Sequence, residues 1–123
     1  VAVVRGVIHH LSDGRRGIER TSHLAKKIVI VEPNGNNPIV KLFEKYSPYH
    51  QDHEEKSYSS AQLKQWCSEA NLQLRSESYI GFVPFFFPDF PSKIIHFFQP
   101  ILEKLPVLPH FFAAQIVLVV ERK

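Results

Sequence analysis

Two adjacent histidines and one glutamate are the side chains of this sequence best suited to acid–base chemistry. His9 and His10 follow an apolar run, and Glu32 ends a second run. A neutral imidazole accepts a proton near pH 7, so either histidine is a candidate general base on a bound molecule; the alternative is a histidine hydrogen-bonded at the end of a strand. Glu32 either orients an acceptor or forms a structural pair. Histidines adjacent on a strand point to opposite faces, which excludes a metal shared by the two.

Other reactive side chains do not complete a site. His50, Asp52, His53 and Glu54 carry groups that bind metals, but no further cluster accompanies them, so a polar loop is the favoured interpretation and we predict no metal. Cys67 falls on the apolar face of a predicted helix, which is typical of a core residue rather than a nucleophile.

Phenylalanine is concentrated late in the chain, where nine of the ten lie from Phe82 to Phe112. Core packing accounts for most of them. The segment F-V-P-F-F-F-P-D-F at 82–90 also suits a lid over an apolar acceptor, in which Phe85 and Phe87 contact the substrate, or a patch that rests on a membrane surface.

The composition excludes several classes of protein. A chain of 123 residues, 44% apolar and 22% charged, is typical of one globular domain and not of a disordered segment. The net charge of +3 is scattered, so it does not indicate nucleic-acid binding. No apolar run reaches the roughly 18 residues that cross a bilayer. One cysteine fits a reducing compartment, and we predict a cytoplasmic location.

The elements that must position these residues alternate between strands and helices, the pattern of a doubly wound α/β sheet. β-branched runs predict strands that are buried on both faces of the sheet. The predicted strands are Val1–Ile8, Ile28–Val31, Leu72–Val83 and Ala113–Val120. Capping residues and helical spacing predict four helices: from Ser12 or Asp13 to about Leu24, after Asn37, after Ser59 with an Asn71 stop, and after Ser92. Pro106 and Pro109 are expected to bound a turn before the last strand.

Four stretches together resemble the second half of a class I S-adenosylmethionine-dependent methyltransferase (type 11/12-like). They are R-G-V-I-H-H-L at 5–11, R-T-S-H-L-A-K-K at 20–27, I-V-I-V-E-P-N-G at 28–35 and S-S-A-Q-L-K-Q-W-C-S-E-A-N-L at 59–72. In that family a strand leads to a His-His-like stretch, a following strand ends in Glu-Pro, and a later helix begins with a similar Ser-containing pattern. The resemblance covers nearly the whole chain.

The resemblance implies a Rossmann-like sheet made of the family's strands 4, 5, 6 and antiparallel 7, with the seventh inserted between the fifth and sixth. Open α/β sheets bind ligands at the carboxyl ends of their strands. The resemblance therefore places Arg5 and Gly6 at the methionine part of the cofactor, although Arg5 is equally suited to the surface or to a pair with Glu32. It places Glu32 and Asn34 near a methyl acceptor, with His10 or His9 in a catalytic role.

We expect residues 1–123 to be the C-terminal part of one methyltransferase domain whose N-terminal cofactor-binding half is absent. The expected activity is methyl transfer from S-adenosyl-L-methionine to a small, apolar acceptor, with the isolated chain inactive. The alternative is a non-catalytic α/β module for interaction or regulation. Expected contacts are the methyl acceptor, a peripheral membrane surface and a second copy joined through the sheet edge.

Overall fold

The architecture is a four-stranded sheet with helices, seen in a computed structural model that describes residues 1–46, 56–81 and 89–123. In chain order the elements are β1 (Ala2–Arg5), a one-turn 3-10 helix (Ile8–His10), α1 (Gly14–Leu24), β2 (Lys27–Pro33), α2 (Pro38–Tyr46), α3 (Ser60–Glu69), β3 (Leu72–Ile80), α4 (Asp89–Leu102), α5 (Leu108–Phe112) and β4 (Gln115–Arg122). The predicted α/β class is confirmed. None of the described helices has the length and apolar character needed to cross a membrane.

The strands lie in the order β1-β2-β4-β3. β1 pairs in parallel with β2, whereas β4 is antiparallel to both β2 and β3. The predicted insertion of the last strand between the second and third is therefore confirmed. Since β1, β2 and β3 run in the same direction, their C-terminal ends share one edge of the sheet.

Local sequence signals begin and end the first helices as predicted. Asp13 caps α1, Asn37 caps α2 and Ser59 caps α3, each through a side-chain oxygen that accepts a backbone N–H of the first turn. Asn71 follows α3 with φ of +60°, in the left-handed region that stops a helix.

The first strand is shorter than predicted. β1 ends at Arg5, because Gly6 has φ of +61° and turns the chain out of the sheet. The next N–H groups, those of Val7 and Ile8, then point to the side chain of Glu32 and not to a neighbouring strand. The prediction of a strand to Ile8 is wrong for this reason.

Boundaries late in the chain also differ from the prediction. Ser92 does not cap α4, which begins at Asp89, where a carboxylate is favourable against the helix dipole. Pro109 does not bound a turn but lies in the first turn of α5. β4 begins at Gln115, since the carbonyl of Ala113 is taken by asparagine side chains and leaves the ladder.

The core lies on one face of the sheet, where α1 and α3 pack against the buried side chains of the strands. Its buried members are Ile8, Ile18, Ile28, Ile30, Leu63, Cys67, Leu72, Ile116, Leu118 and Val120. Cys67 is a core residue, as predicted, and burial raises the pKa of its thiol to about 11, which keeps it protonated and unreactive near neutral pH.

The opposite face of the sheet is only partly covered by the described residues, which corrects the expectation of burial on both faces. Strand register aligns five valines on this opposite face, and we call them the valine stripe: Val3, Val29, Val31, Val117 and Val119. Of these, Val3 is 67% exposed.

We predict that Gly35→Ala destabilises the fold by roughly 3 kcal/mol. A Cβ at Gly35 would lie 2.2 Å from the backbone carbonyl carbon of Tyr58, and the carbonyl oxygen of Tyr58 accepts the Gly35 N–H at 3.0 Å. Gly17→Ala is the matched control, since its Cβ would meet only the flexible end of Leu11 and alanine favours the helix. Urea unfolding followed by the fluorescence of Trp66 measures both variants. Equal stability of the two would show that the 33–37 turn does not press on the backbone at Tyr58.

Candidate functional site

The carboxylate of Glu32 is the centre of a buried polar site at the end of β2. Its side chain is 1% exposed and accepts the backbone N–H groups of three consecutive residues. Oε1 lies 2.9 Å from the nitrogens of both Val7 and Ile8, and Oε2 lies 3.3 Å from that of His9. These donors follow the left-handed Gly6, so the turn after β1 forms a concave set of N–H groups that suits an anion.

This arrangement explains how a carboxylate is tolerated in a buried strand. Register places Glu32 opposite Ile116, on the core face of the sheet. Burial of an unpaired charge would be costly, whereas charge-assisted hydrogen bonds from fixed donors compensate for the lost water. The polar ending of β2 therefore holds the end of β1 in place.

The ring of His9 provides a fourth hydrogen-bond donor to the Glu32 carboxylate, and this bond fixes the orientation of the ring. Its Nδ1 lies 2.6 Å from Oε2 of Glu32, and its side chain is 13% exposed. A carboxylate only accepts hydrogen bonds, so Nδ1 carries the proton, and in the neutral ring Nε2 is left with a lone pair. A histidine held this way can accept a proton through Nε2 from a molecule bound beside it.

His10 is exposed and its ring lies against that of His9, with centroids 4.0 Å apart. The expectation that the two histidines lie on opposite faces of a strand is wrong, since both belong to the 3-10 helix. Arg5 is exposed at the end of β1, and the predicted alternative of a pair with Glu32 is not formed, because His9 takes that position. Gly6 is half-buried, and its N–H donates to the carbonyl of Val31 at 2.9 Å.

Asn34 fastens the end of β2 to the start of β4. It is fully buried, and its Nδ2 donates to the carbonyls of His110 and Ala113 at 3.0 and 2.9 Å. Its Oδ1 accepts the N–H of Asn36 at 3.0 Å, which closes the turn around Gly35. The side-chain atoms of Asn34 are thus engaged within the chain, and a contact with substrate stays a prediction.

A second polar cluster, which the sequence did not reveal, lies farther along the same edge. The hydroxyl of Tyr79 is hydrogen-bonded to Glu77 and lies 2.8 Å from Nδ1 of His110. Lys64 of α3 donates to the other oxygen of Glu77 at 2.8 Å. Glu77 and Tyr79 are two residues apart on β3 and so share one face of the strand, which the sequence pattern could have indicated. Their meeting with His110 depends on the packing of α5 and has no local signal.

The electrostatics of this cluster fix the direction of its hydrogen bonds. Burial, reinforced by the hydrogen bond to Glu77, raises the pKa of Tyr79 to about 12, so the phenol stays neutral. Burial opposes ionisation of Glu77, yet hydrogen bonds from Lys64 and Tyr79 hold the pKa of this carboxyl below its ordinary value. Tyr79 therefore donates to Glu77 and accepts from Nδ1–H of His110, which leaves Nε2 of His110 as an acceptor in the neutral ring.

Glu32 and Tyr79 belong to one row across the sheet, because both pair with Ile116 of β4. Two strand spacings, roughly 10 Å, separate them. Beside Tyr79 lies a groove of about 640 Å³, whose lining includes the charged Lys64, Glu77 and Glu103 as well as the apolar Pro106, Val107 and Pro109. The edge thus carries two oriented histidines and an adjacent groove with both charged and apolar lining residues.

The remaining predicted site residues lie in segments that the structure does not describe. Phe85 and Phe87 lie outside the described residues, as do the side chains of the 50–55 segment. Within residues 1–46, 56–81 and 89–123, no three acidic, histidine or cysteine side chains form a metal site.

Solved structures with the same fold exist, although no protein-family model and no curated protein matches the chain. A SAM-dependent methyltransferase from Archaeoglobus fulgidus aligns with 98% of this chain and 57% of its own, with a TM-score of 0.59 and 14% identity. The small RNA methyltransferase HEN1 aligns with 98% of this chain and 13% of its own, with a TM-score of 0.55 and 19% identity. The chain therefore has the fold found in part of these proteins and spans little more than half of the first.

We predict that Glu32→Gln lowers the free energy of unfolding by roughly 3 kcal/mol. The amide oxygen can still accept two N–H groups, but the amide NH₂ then faces the backbone N–H of His9, donor against donor, and can pair with the ring only after Nδ1 gives up its proton. Glu19→Gln, an exposed carboxamide substitution on α1, is the control and is expected to change stability by less than about 0.5 kcal/mol. Urea unfolding of the two variants side by side decides the matter, and equal midpoints would contradict the role given to Glu32.

Proposed function

We propose that this chain is the C-terminal part of a class I S-adenosylmethionine-dependent methyltransferase domain that methylates a small molecule with an apolar portion. The observation that carries the proposal is the sheet, in which antiparallel β4 lies between parallel β2 and β3. The structural likeness to two methyltransferases supports it at the level of fold.

Part of a cofactor site fits the end of β1. Gly6 is in the left-handed region and has no side chain, so a ligand can approach the backbone closely there. The exposed guanidinium of Arg5 suits the carboxylate of the methionine portion. When bound, S-adenosylmethionine supplies an electrophilic methyl group on sulfonium. Arg5 and Gly6 would hold one side of it, and the proposal assigns the other side to the remainder of the domain.

His9 is the residue that we propose to act on the acceptor. Glu32 fixes its ring through Nδ1, so Nε2 can take a proton from an acceptor hydroxyl or amine as the methyl group is transferred. His10 contacts the ring of His9 and would limit where the acceptor enters. In the groove beside Tyr79, the apolar residues Val107 and Pro109 suit the apolar part of the acceptor.

The uncovered parts of the sheet favour a larger domain. β1 forms an edge of the described sheet, and the valine stripe is only half-buried. A further strand beside β1 and helices over the stripe would bury both. The same exposed edge is also suited to self-association of the chain.

A non-catalytic interaction or regulatory module is the second candidate, because the same edge and stripe would serve to bind another protein. The two candidates differ in the cofactor. A catalytic domain binds S-adenosylmethionine, and an interaction module does not.

We predict that the 123-residue chain alone gives no saturable heat with S-adenosylmethionine, and that a chain extended at its N-terminus by the residues its gene encodes there binds one equivalent. Calorimetric titration of both chains measures this. Absence of binding by the extended chain would favour the interaction module, and tight binding by the monomeric 123-residue chain would show that the site is self-contained and that the proposed division is wrong.

In the extended enzyme, His9→Gln is expected to lower methyl transfer roughly 100-fold while cofactor affinity stays unchanged. Release of S-adenosylhomocysteine with a panel of small apolar alcohols and amines provides the assay. His96→Gln, an exposed histidine substitution on α4, is the control. Loss of stability in His9→Gln with unchanged turnover per folded molecule would remove His9 from the reaction.

A further inference from the structure

Helix α4 presents its apolar side to solvent. Five large apolar side chains along it are between 48% and 78% exposed: Phe90, Ile94, Phe97, Phe98 and Ile101. At 100° per residue these positions fall on one stripe of the helix, and the stripe runs over roughly 16 Å of its length. We call this stripe the outer face of α4.

The opposite side of α4 faces the rest of the chain, and its half-buried residues are both apolar, Ile95 and Leu102, and polar, Gln99 and Glu103. Gln99 donates to Glu103 at 2.9 Å, and Glu103 accepts the N–H of Gly81, at the end of β3, at 3.1 Å. His96 lies 3.1 Å from the side-chain oxygen of Gln99 and extends this polar chain along the helix. The helix is therefore anchored through a side of mixed polarity, whereas its widest apolar stripe remains open.

The basic residues lie closer to the outer face than the acidic ones do. At 100° per residue Lys93 flanks the stripe, and the exposed Lys104 lies two residues after the end of the helix. The acidic Glu103, directly after the helix, is held on the opposite side by its hydrogen bonds to Gly81 and Gln99. The acidic Asp89 lies at the first helical position, where the helix dipole stabilises it. An apolar stripe with basic residues beside it complements a surface that is apolar within and anionic outside.

We propose that the outer face of α4 docks the protein on anionic lipid bilayers. Phe90, Phe97 and Ile101 enter the boundary between headgroups and acyl chains, and Lys93 and Lys104 lie at the level of the lipid phosphates. This inference concerns a surface and holds whether or not the chain takes part in methyl transfer. In a methyltransferase it would bring the C-terminal edge of the sheet close to membrane-borne acceptors.

The position of α4 separates it from the surface that the rest of a larger domain would cover. α4 is anchored to the end of β3 through Gly81, whereas the open edge of the sheet is that of β1. These two strands lie at opposite edges with β2 and β4 between them. An extension of the sheet beyond β1 would therefore not bury the outer face of α4.

Co-sedimentation of the 123-residue chain with vesicles tests the proposal. We expect binding to phosphatidylcholine vesicles that contain about 30 mol% phosphatidylglycerol, weaker binding to pure phosphatidylcholine, and a decrease with added salt. Phe97→Asp should lower the partition coefficient roughly tenfold or more, because it places a charge in the stripe that enters the lipid. Leu24→Asp is the matched control, since Leu24 is 81% exposed on α1, away from the outer face, and should bind as the parent does.

Circular dichroism melts of the two variants establish that both remain folded, as exposed positions allow. Lys93→Glu should weaken binding to the anionic vesicles and leave binding to neutral vesicles unchanged. The proposal fails if the parent chain does not sediment with anionic vesicles, or if Phe97→Asp binds them as well as Leu24→Asp does. It also fails if Phe97→Asp converts a lipid-free dimer into a monomer and leaves vesicle binding unchanged, which would assign the outer face to a second copy of the chain.

Discussion

The burial of one carboxylate determines the geometry at the edge of the sheet that carries the candidate site. Glu32 is brought to the core face of β2 by strand register, and three backbone N–H groups and the ring of His9 surround it. Those donors are available only because Gly6 turns the chain out of β1 in the left-handed conformation. The same interaction therefore ends β1, forms the 3-10 helix and fixes the orientation of the candidate base.

Much of the fold could be predicted because its signals are local. Asp13, Asn37 and Ser59 cap helices through their own first turns, and Asn71 stops one. The strand order followed from the resemblance rather than from any local pattern. The end of β1 could not be predicted, since Val7 and Ile8 are β-branched and favour a strand. Only their bonds to Glu32, more than twenty residues away in sequence, take them out of it.

The site was less predictable than the fold for a similar reason. The sequence showed that His9, His10 and Glu32 follow the ends of strands, but it could not show that Nδ1 of His9 reaches Glu32. The cluster around Tyr79 requires α3, β3 and α5 to meet, and no local pattern relates Lys64 to His110. Both clusters nevertheless lie at the edge where open α/β sheets bind ligands, in the row of Ile116 and one strand away from it on either side. The proposed base, the groove and the proposed lipid-facing helix would together suit chemistry on a molecule that is itself partly apolar.

The protonation of the His9 ring tests the central claim most directly. Long-range ¹⁵N–¹H correlation spectra, recorded at a pH where the ring is neutral and assigned with a His9→Gln variant, report which nitrogen carries the proton. We expect Nδ1 to be protonated in the parent chain and Glu32→Gln to shift the proton toward Nε2. A bare Nδ1 in the parent chain, or an unchanged tautomer in Glu32→Gln, would contradict that claim.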